Sequence, residues 1–303
     1  MLTSMKTLMN HAMANRYAVG YFEAWNMDAM LAVINAAERE NSPVIIGFSG
    51  MFLGNGERVV PENVYHYGAL AAEAARRSRV PCAVLMNESK RIDLLIQALQ
   101  AGFNAVMYQN PGESSEETVR MTKYLCETAH YVGADVESEV GELPSSDISN
   151  STISGGTPTD PEAALEFIRQ TGIDALAIAC GNVHLLEGAK SALDFELIKA
   201  VRERVDIPIV LHGGTGISQA DLKKAIAMGV AKVNVGTVMK RAYIESIQRY
   251  LKRYAVEKID PHEVIGGGGT LDMLCGAREA VTDCVREFIV TFGSAGQANG
   301  WSL

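Results

Sequence analysis

Several things are missing from this chain, and each absence narrows what it does. No run of about 18 consecutive apolar residues occurs, so no segment reads as a membrane-spanning helix. The first residues, MLTSMKTLMNHAMANRYAVG, lack a basic region followed by an apolar core and a small-residue cleavage site, and a cytoplasmic location is expected. Basic charge is scarce: 27 Lys and Arg stand against 36 Asp and Glu, a formal net charge of −9. The field of such a molecule repels nucleic acid and anionic membrane, so neither is an expected partner, and any phosphate ligand must be held by local geometry. Paired cysteines are missing too. Cys82, Cys126, Cys180, Cys275 and Cys284 are an odd number, widely spaced and without a CxxC, which fits reduced thiols placed mostly in a core.

What is present is an alternation. Short β-branched runs are each followed by an amphipathic stretch: YAVGYF, PVIIGFS, CAVLMN, AVMYQ, DVESEVGEL, ALAIACG, PIVLHGG and KVNVGT head eight such βα units. Apolar strands of this kind are buried on both faces, as parallel strands are, and eight successive units predict a closed (β/α)₈ TIM barrel rather than an open doubly wound sheet. Ser218 and Asp160 stand at helix N-caps, and Gly102, Gly133, Gly172 and Gly229 close helices. No internal boundary is visible, so residues 1–303 read as a single barrel domain with a C-terminal helical extension from about residue 258. A polar, glycine-containing loop over 144–160 is placed to fold over the barrel mouth.

Barrel active sites are assembled at the C-terminal ends of the strands. There the sequence offers Glu23, Ser49, Asn87 with Glu88, Gln109, Glu137 with Glu139, His184, His212, and Asn234 with Thr237. LHGGTGIS leads from a strand through glycines toward a helix, and NVGT ends the next strand. Gly213, Gly214, Thr215, Gly216, Asn234, Gly236 and Thr237 are therefore candidates for a phosphate grip, against the plainer reading of a tight glycine turn. His184 and His212, past neighbouring strands, are candidate ligands of one metal ion, although a lone histidine is more often structural.

Over nearly its whole length the chain resembles the class II fructose-bisphosphate and tagatose-bisphosphate aldolases, a zinc-dependent (β/α)₈ family. The segments that carry the likeness are YAVGYF, SPVIIGFSG, AGFNAVMYQ, VESEVGEL, TGIDALAIACGNVH, DIPIVLHGGTGIS, AKVNVGT and FGSAG. The likeness breaks at LMNES. Asn87 stands where the family has its acid/base aspartate, Glu88 where it has a zinc histidine, and Ser89 where it has glycine. The resemblance matches the other two zinc histidines to His184 and His212, and the family's paired glutamates to Glu137 and Glu139. Leu185 replaces a glycine, Gln109 an aspartate and Glu23 an asparagine; the grip is intact apart from Gly236.

An amide does not exchange protons near neutral pH, so Asn87 can orient a hydroxyl but not serve as base. Glu88 offers two repairs. It either completes a ligand set with His184 and His212 for zinc or a harder divalent ion, or it acts as base while the histidines, with Glu139, hold the metal. The strand ends and the resemblance together give a candidate catalytic set of Ser49, Asn87, Glu88, Gln109 and Glu139, and a metal set of Glu88, Glu139, His184 and His212. The implied activity is metal-assisted, reversible aldol cleavage of a phosphorylated ketose or related sugar phosphate through an enediolate. An isomerase or epimerase using the same site, and a non-catalytic sugar-phosphate binder, are the alternatives. A homodimer or homotetramer formed through outer helices is implied as well. Ser89 and Lys90 read as the cap and start of the next helix, Lys232 as a remote Schiff-base candidate, and the GGGG run at 266–269 as a connection to the last helix.

Overall fold

The computed structural model describes residues 1–147, 152–184, 191–253 and 260–301. Its strands are β1 (Val19–Glu23), β2 (Val44–Ser49), β3 (Cys82–Ser89), β4 (Ala105–Tyr108), β5 (Asp135–Val140), β6 (Ser145–Asp147), β7 (Thr152–Ser154), β8 (Ala175–Ile178), β9 (Ile209–Leu211) and β10 (Val230–Val235). All but β6 and β7 pair in parallel in the closed order β1-β10-β9-β8-β5-β4-β3-β2, the expected TIM barrel. Closure is made by β1 against β10, Val19 opposite Lys232 through Phe22 opposite Val235.

The helices are α1 (Met5–Asn15), α2 (Met27–Arg39), α3 (Gly50–Leu53), α4 (Val64–Arg77), α5 (Ile92–Ala101), α6 (Ser115–Tyr131), α7 (Pro161–Thr171), α8 (Phe195–Arg202), α9 (Gln219–Ala227), α10 (Thr237–Arg253), α11 (Pro261–Val264) and α12 (Met273–Phe292). Ser218 and Asp160 cap α9 and α7 as expected, accepting from Asp221 N–H and Ala163 N–H. Gly102 and Gly172 take the left-handed conformation at the ends of α5 and α7. Among the described residues no helix is long and apolar enough to cross a membrane.

Two cores follow from the two faces of each strand. Outward side chains such as Ile46, Val84, Val106 and Val233 pack under the helices. The inward face is built largely from small residues, Ala83, Ala105, Ala175, Ala177 and Ala231, which leaves room for Tyr21 and for α1. Gly47 is part of this allowance: a Cβ there would lie 1.8 Å from the Tyr21 ring. The helix α1 carries Met5, Leu8, Met9 and Ala12 on one face, all fully buried against the barrel interior, where it plugs the end opposite the strand C-termini. Burying Leu and Met side chains this completely contributes about 1.5–3 kcal/mol each.

Three segments add to or differ from the expected picture. The 144–160 loop contains the antiparallel hairpin β6–β7, tied to the mouth because Ser146 N–H donates to the His184 carbonyl and His184 N–H to the Pro144 carbonyl. Its residues 148–151 lie outside the described set, as does Leu185. The last helix, α12, buries Ala277, Val281, Val285, Ile289 and Phe292 against α2, α10 and β1, so this face closes the chain's own barrel wall. Ser89 is not the cap of α5: it ends β3, and its Oγ accepts from Arg91 N–H at 3.1 Å, while Lys90 is exposed.

Candidate active site

The site begins with a fault in a strand. β3 runs regularly opposite β2 as far as Ser49 against Asn87, but its register against β4 shifts between Met86 and Ser89. Glu88 sits in that irregularity with φ of 51°, a conformation that costs a non-glycine residue about 1 kcal/mol or more. Successive residues of a strand normally point to opposite faces. The bulge breaks the alternation and turns both Asn87 and Glu88 into the barrel mouth, where both line one cavity.

His184 and His212 reach the same mouth because their loops approach closely. Gly213, with φ of 69°, passes so near the neighbouring loop that a Cβ on it would stand 2.3 Å from the Val183 carbonyl oxygen. That approach leaves the two imidazole centroids 5.8 Å apart. Among the described residues, Glu88, His184 and His212 are the three whose donor atoms lie within 4.8 Å of one another. Glu139 stands outside that group, contrary to the expectation that it shares the metal. Its Oε1 accepts from Gln109 Nε2 at 3.2 Å and from Leu143 N–H at 3.3 Å, and its Oε2 is buried without a partner.

Behind His212 lies a buried relay of charge whose members the sequence offered only separately. Glu137 accepts from His212 Nε2 at 2.9 Å and is paired with the Lys232 ammonium at 2.8 Å; both Glu137 and Lys232 are fully buried. Lys232 also donates to Asn234 Oδ1 at 2.6 Å. Burial pulls the Lys232 ammonium down, against the raising effect of Glu137, and the ion pair holds it on Glu137 away from the ligand histidines' mouth-facing side. Burial pushes the Glu137 carboxyl up, but Lys232 and His212 outweigh it and leave it below the usual range, ionised.

The donor set fits a divalent ion. Because Glu137 accepts the Nε2 proton, the Nδ1 of neutral His212 is an unprotonated lone pair, and it faces Glu88 Oε1 at 2.8 Å. Two lone pairs at that distance require a positive centre between them, either a second proton on the ring or a metal ion. Without metal the ring takes the proton: burial alone would lower His212, but its hydrogen bonds to Glu137 and Glu88 raise it above the ordinary value. Glu88 is correspondingly held low, His212 and His184 outweighing the upward push of burial. His184 is pushed down by burial, which keeps its imidazole neutral and available as a ligand. A carboxylate accepting from the far nitrogen of a ligating histidine is the usual support of such a site.

The cavity at this point encloses about 270 Å³. Of the expected phosphate residues, Gly213, Thr215, Asn234, Gly236 and Thr237 line it. Gly214 and Gly216 do not; they form the short 3₁₀ turn behind the grip, where the Gly216 carbonyl accepts from Ser191. The helix α9 begins only at Gln219, so the dipole at the grip is that of the 17-residue α10, which starts at Thr237. Ser49 is buried at the end of β2 with its hydroxyl unpartnered, in a smaller adjacent recess beside Glu23 and Lys240. Three more buried polar atoms lack a partner and belong to residues that line the main cavity: Tyr21 Oη, Asn87 Oδ1 and Asn234 Nδ2. Each such atom costs about 1–3 kcal/mol when left unmatched.

Comparison with known proteins places the chain in a family. The profile described as fructose-bisphosphate aldolase class-II matches residues 3–297. The chain is 33% identical over 300 residues to fructose-bisphosphate aldolase of Geobacillus stearothermophilus, covering 98% of this chain and 99% of that one. It is 34% identical over 248 residues to protein YdjI of Escherichia coli K12, covering 82% of this chain and 87% of that protein. The crystal structure of the YdjI aldolase from Escherichia coli K12 superposes with a TM-score of 0.82 at 31% identity, covering 99% and 100% of the two chains.

Proposed function

The chain belongs to the class II fructose-bisphosphate aldolase family, and from that premise we propose that it catalyses reversible aldol cleavage of a phosphorylated ketose or related sugar phosphate, assisted by a divalent ion. The observation that carries the proposal is the convergence of Glu88, His184 and His212 in a cavity that also contains the glycine and threonine grip. Those three residues would hold the ion, zinc or a harder divalent cation, and it would supply Lewis acidity toward a ketone oxygen.

The chain's own groups do the rest. Glu137 keeps the proton on His212 Nε2, and Lys232 keeps Glu137 ionised, so the ligating nitrogen always faces the mouth. Backbone N–H groups at Gly213, Thr215 and Thr237, with the α10 dipole, bind phosphate without a cationic side chain. Tyr21, Asn87 and Asn234 present unmatched polar atoms that sugar hydroxyls satisfy. With an amide at Asn87, proton transfer falls to a carboxyl. Burial pushes Glu139 up to about 7, which suits an acid/base group near neutral pH, and its contact with Gln109 sets its unpartnered Oε2 at the border of this cavity and the next.

The test is elemental analysis of protein purified without chelator, beside Glu88→Ala, with release of dihydroxyacetone phosphate from ketose 1-phosphates assayed in parallel. One divalent ion per chain that is lost in the variant supports the ligand role. Protein that stays metal-free after incubation with divalent ions, and cleaves nothing, removes the proposal.

A further inference from the structure

A second cavity, of about 410 Å³, opens between α6 and α7 and meets the first. Gln109, Pro111 and Glu142 line both. Its position relative to the grip is set by the barrel. The grip lies on the ends of β9 and β10; counting round the closed order, β3 is four strands from β9 and β4 is four strands from β10. A ligand whose phosphate is seated at the grip and which passes Glu88, His184 and His212 therefore arrives at Gln109, at the doorway of the second cavity.

The chemistry of that doorway is one-sided. The second cavity is walled by the carboxylates Glu113, Glu139, Glu142 and Glu166, and among the described residues its lining includes no lysine, arginine or histidine. Lys240, the one lysine among the described residues lining the first cavity, is ion-paired with Glu23. A phosphate at the far end of the substrate would be drawn from water toward several carboxylates, and among the described residues lining the two cavities no unpaired lysine or arginine stands to receive it. Hydroxyl groups meet the opposite situation. They find acceptors in the carboxylates of Glu142 and Glu166 and in the amide oxygen of Gln109, whose Nε2 is engaged by Glu139.

We propose that the substrate is a monophosphorylated ketose whose distal, uncharged polyhydroxylated end lies in the cavity between α6 and α7. This rests on the aldolase reading for the direction in which the substrate lies, and it excludes a 1,ω-bisphosphate as the preferred substrate.

Calorimetry on the metal-loaded protein compares ketose 1-phosphates of five, six and seven carbons with their terminally phosphorylated 1,ω-bisphosphates. Affinity rises with chain length in the first series and falls at least tenfold when the terminal phosphate is added. Glu166→Lys, an exposed position on α7 whose exchange leaves the core alone, shifts that ratio at least tenfold toward the bisphosphate. A bisphosphate that binds as well as or better than its monophosphate overturns the inference, and so does a ratio that Glu166→Lys leaves where it was. The aldolase reading has its own probe, exchange of the C3 hydrogen of dihydroxyacetone phosphate with deuterated water followed by NMR. Exchange with bisphosphate preference sinks only this inference; monophosphate preference without exchange sinks only the aldolase reading; failure of every phosphate to bind sinks both.

Discussion

Glu137 and Lys232 show how a single residue can serve two properties that a measurement separates. Glu137→Gln leaves the Lys232 ammonium buried without a counter-charge, and breaking such a pair costs about 3–5 kcal/mol. The same change removes the carboxylate that orients His212, a loss that typically weakens metal binding 10- to 100-fold. Adding Lys232→Met removes the stranded charge. The double variant is therefore expected to recover most of the stability in urea unfolding while metal affinity, by chelator competition, stays low. If affinity recovers together with stability, Glu137 supports the fold and not the ligand. Neither role was readable from DVESEV and AKVNV alone. Lys232 reads from the sequence only as a remote Schiff-base candidate at a strand start; the irregular register between Val230 and Lys232 turns it inward onto Glu137. Asn87 and Glu88 were visible as a departure from a familiar motif, but not how both face one cavity, because that depends on the bulge and positive φ at Glu88.

At the scale of elements, α1 is held to the barrel by a polar pin as well as by its apolar face. Asp174, nearly fully buried, accepts from Lys6 Nζ at 2.9 Å, His130 Nε2 at 2.8 Å and Val136 N–H at 2.9 Å. Asp135 accepts from Ser4 Oγ and Lys6 N–H. Asp174→Ala strands the buried Val136 N–H while the half-exposed Lys6 and His130 turn to water, and a loss of about 1–3 kcal/mol is expected, read as a lower urea midpoint with the slope unchanged. A midpoint that does not move would show that the plug is held by its apolar face alone. Lys6 is raised from its ordinary 10.5 chiefly by the hydrogen bond to Asp174. A raised value means the folded state binds the proton more tightly than the unfolded state. The contribution is thus complete below pH 10.5 and lost as pH climbs through the raised value, so alkaline unfolding of Asp174→Ala should differ less from the parent than unfolding at pH 8 does. The eight barrel strands were legible because short β-branched runs alternate with amphipathic stretches along the chain, even where a strand such as DVESEV carries polar residues. The apolar spacing of Met5, Leu8, Met9 and Ala12 was equally present in the sequence, but nothing local says that a helix before the first strand seals a barrel floor.

For the whole molecule, the sequence order and the closed ring carry different information. Order alone predicts which residues end strands; only closure shows that the grip faces Gln109 across the mouth, and only packing opens the space between α6 and α7. The same closure makes the ligand set a joint between distant parts of the chain, since Glu88 and His212 are 124 positions apart and meet only in the folded state. An ion bound there stabilises the fold by mass action, about 2.7 kcal/mol when free metal stands at 100 times its dissociation constant. For a chain of this size that is a rise of several degrees in Tm. Chelation of the parent should lower Tm by that amount and re-addition of zinc, manganese or magnesium should restore it, with the most effective ion identifying the preferred metal. In Glu88→Ala the metal dependence should vanish. A parent whose Tm ignores both chelator and ions would mean that the positive centre between Glu88 and His212 is the ring proton, and the site would then be a proton-bridged carboxylate–imidazole pair and not a metal centre.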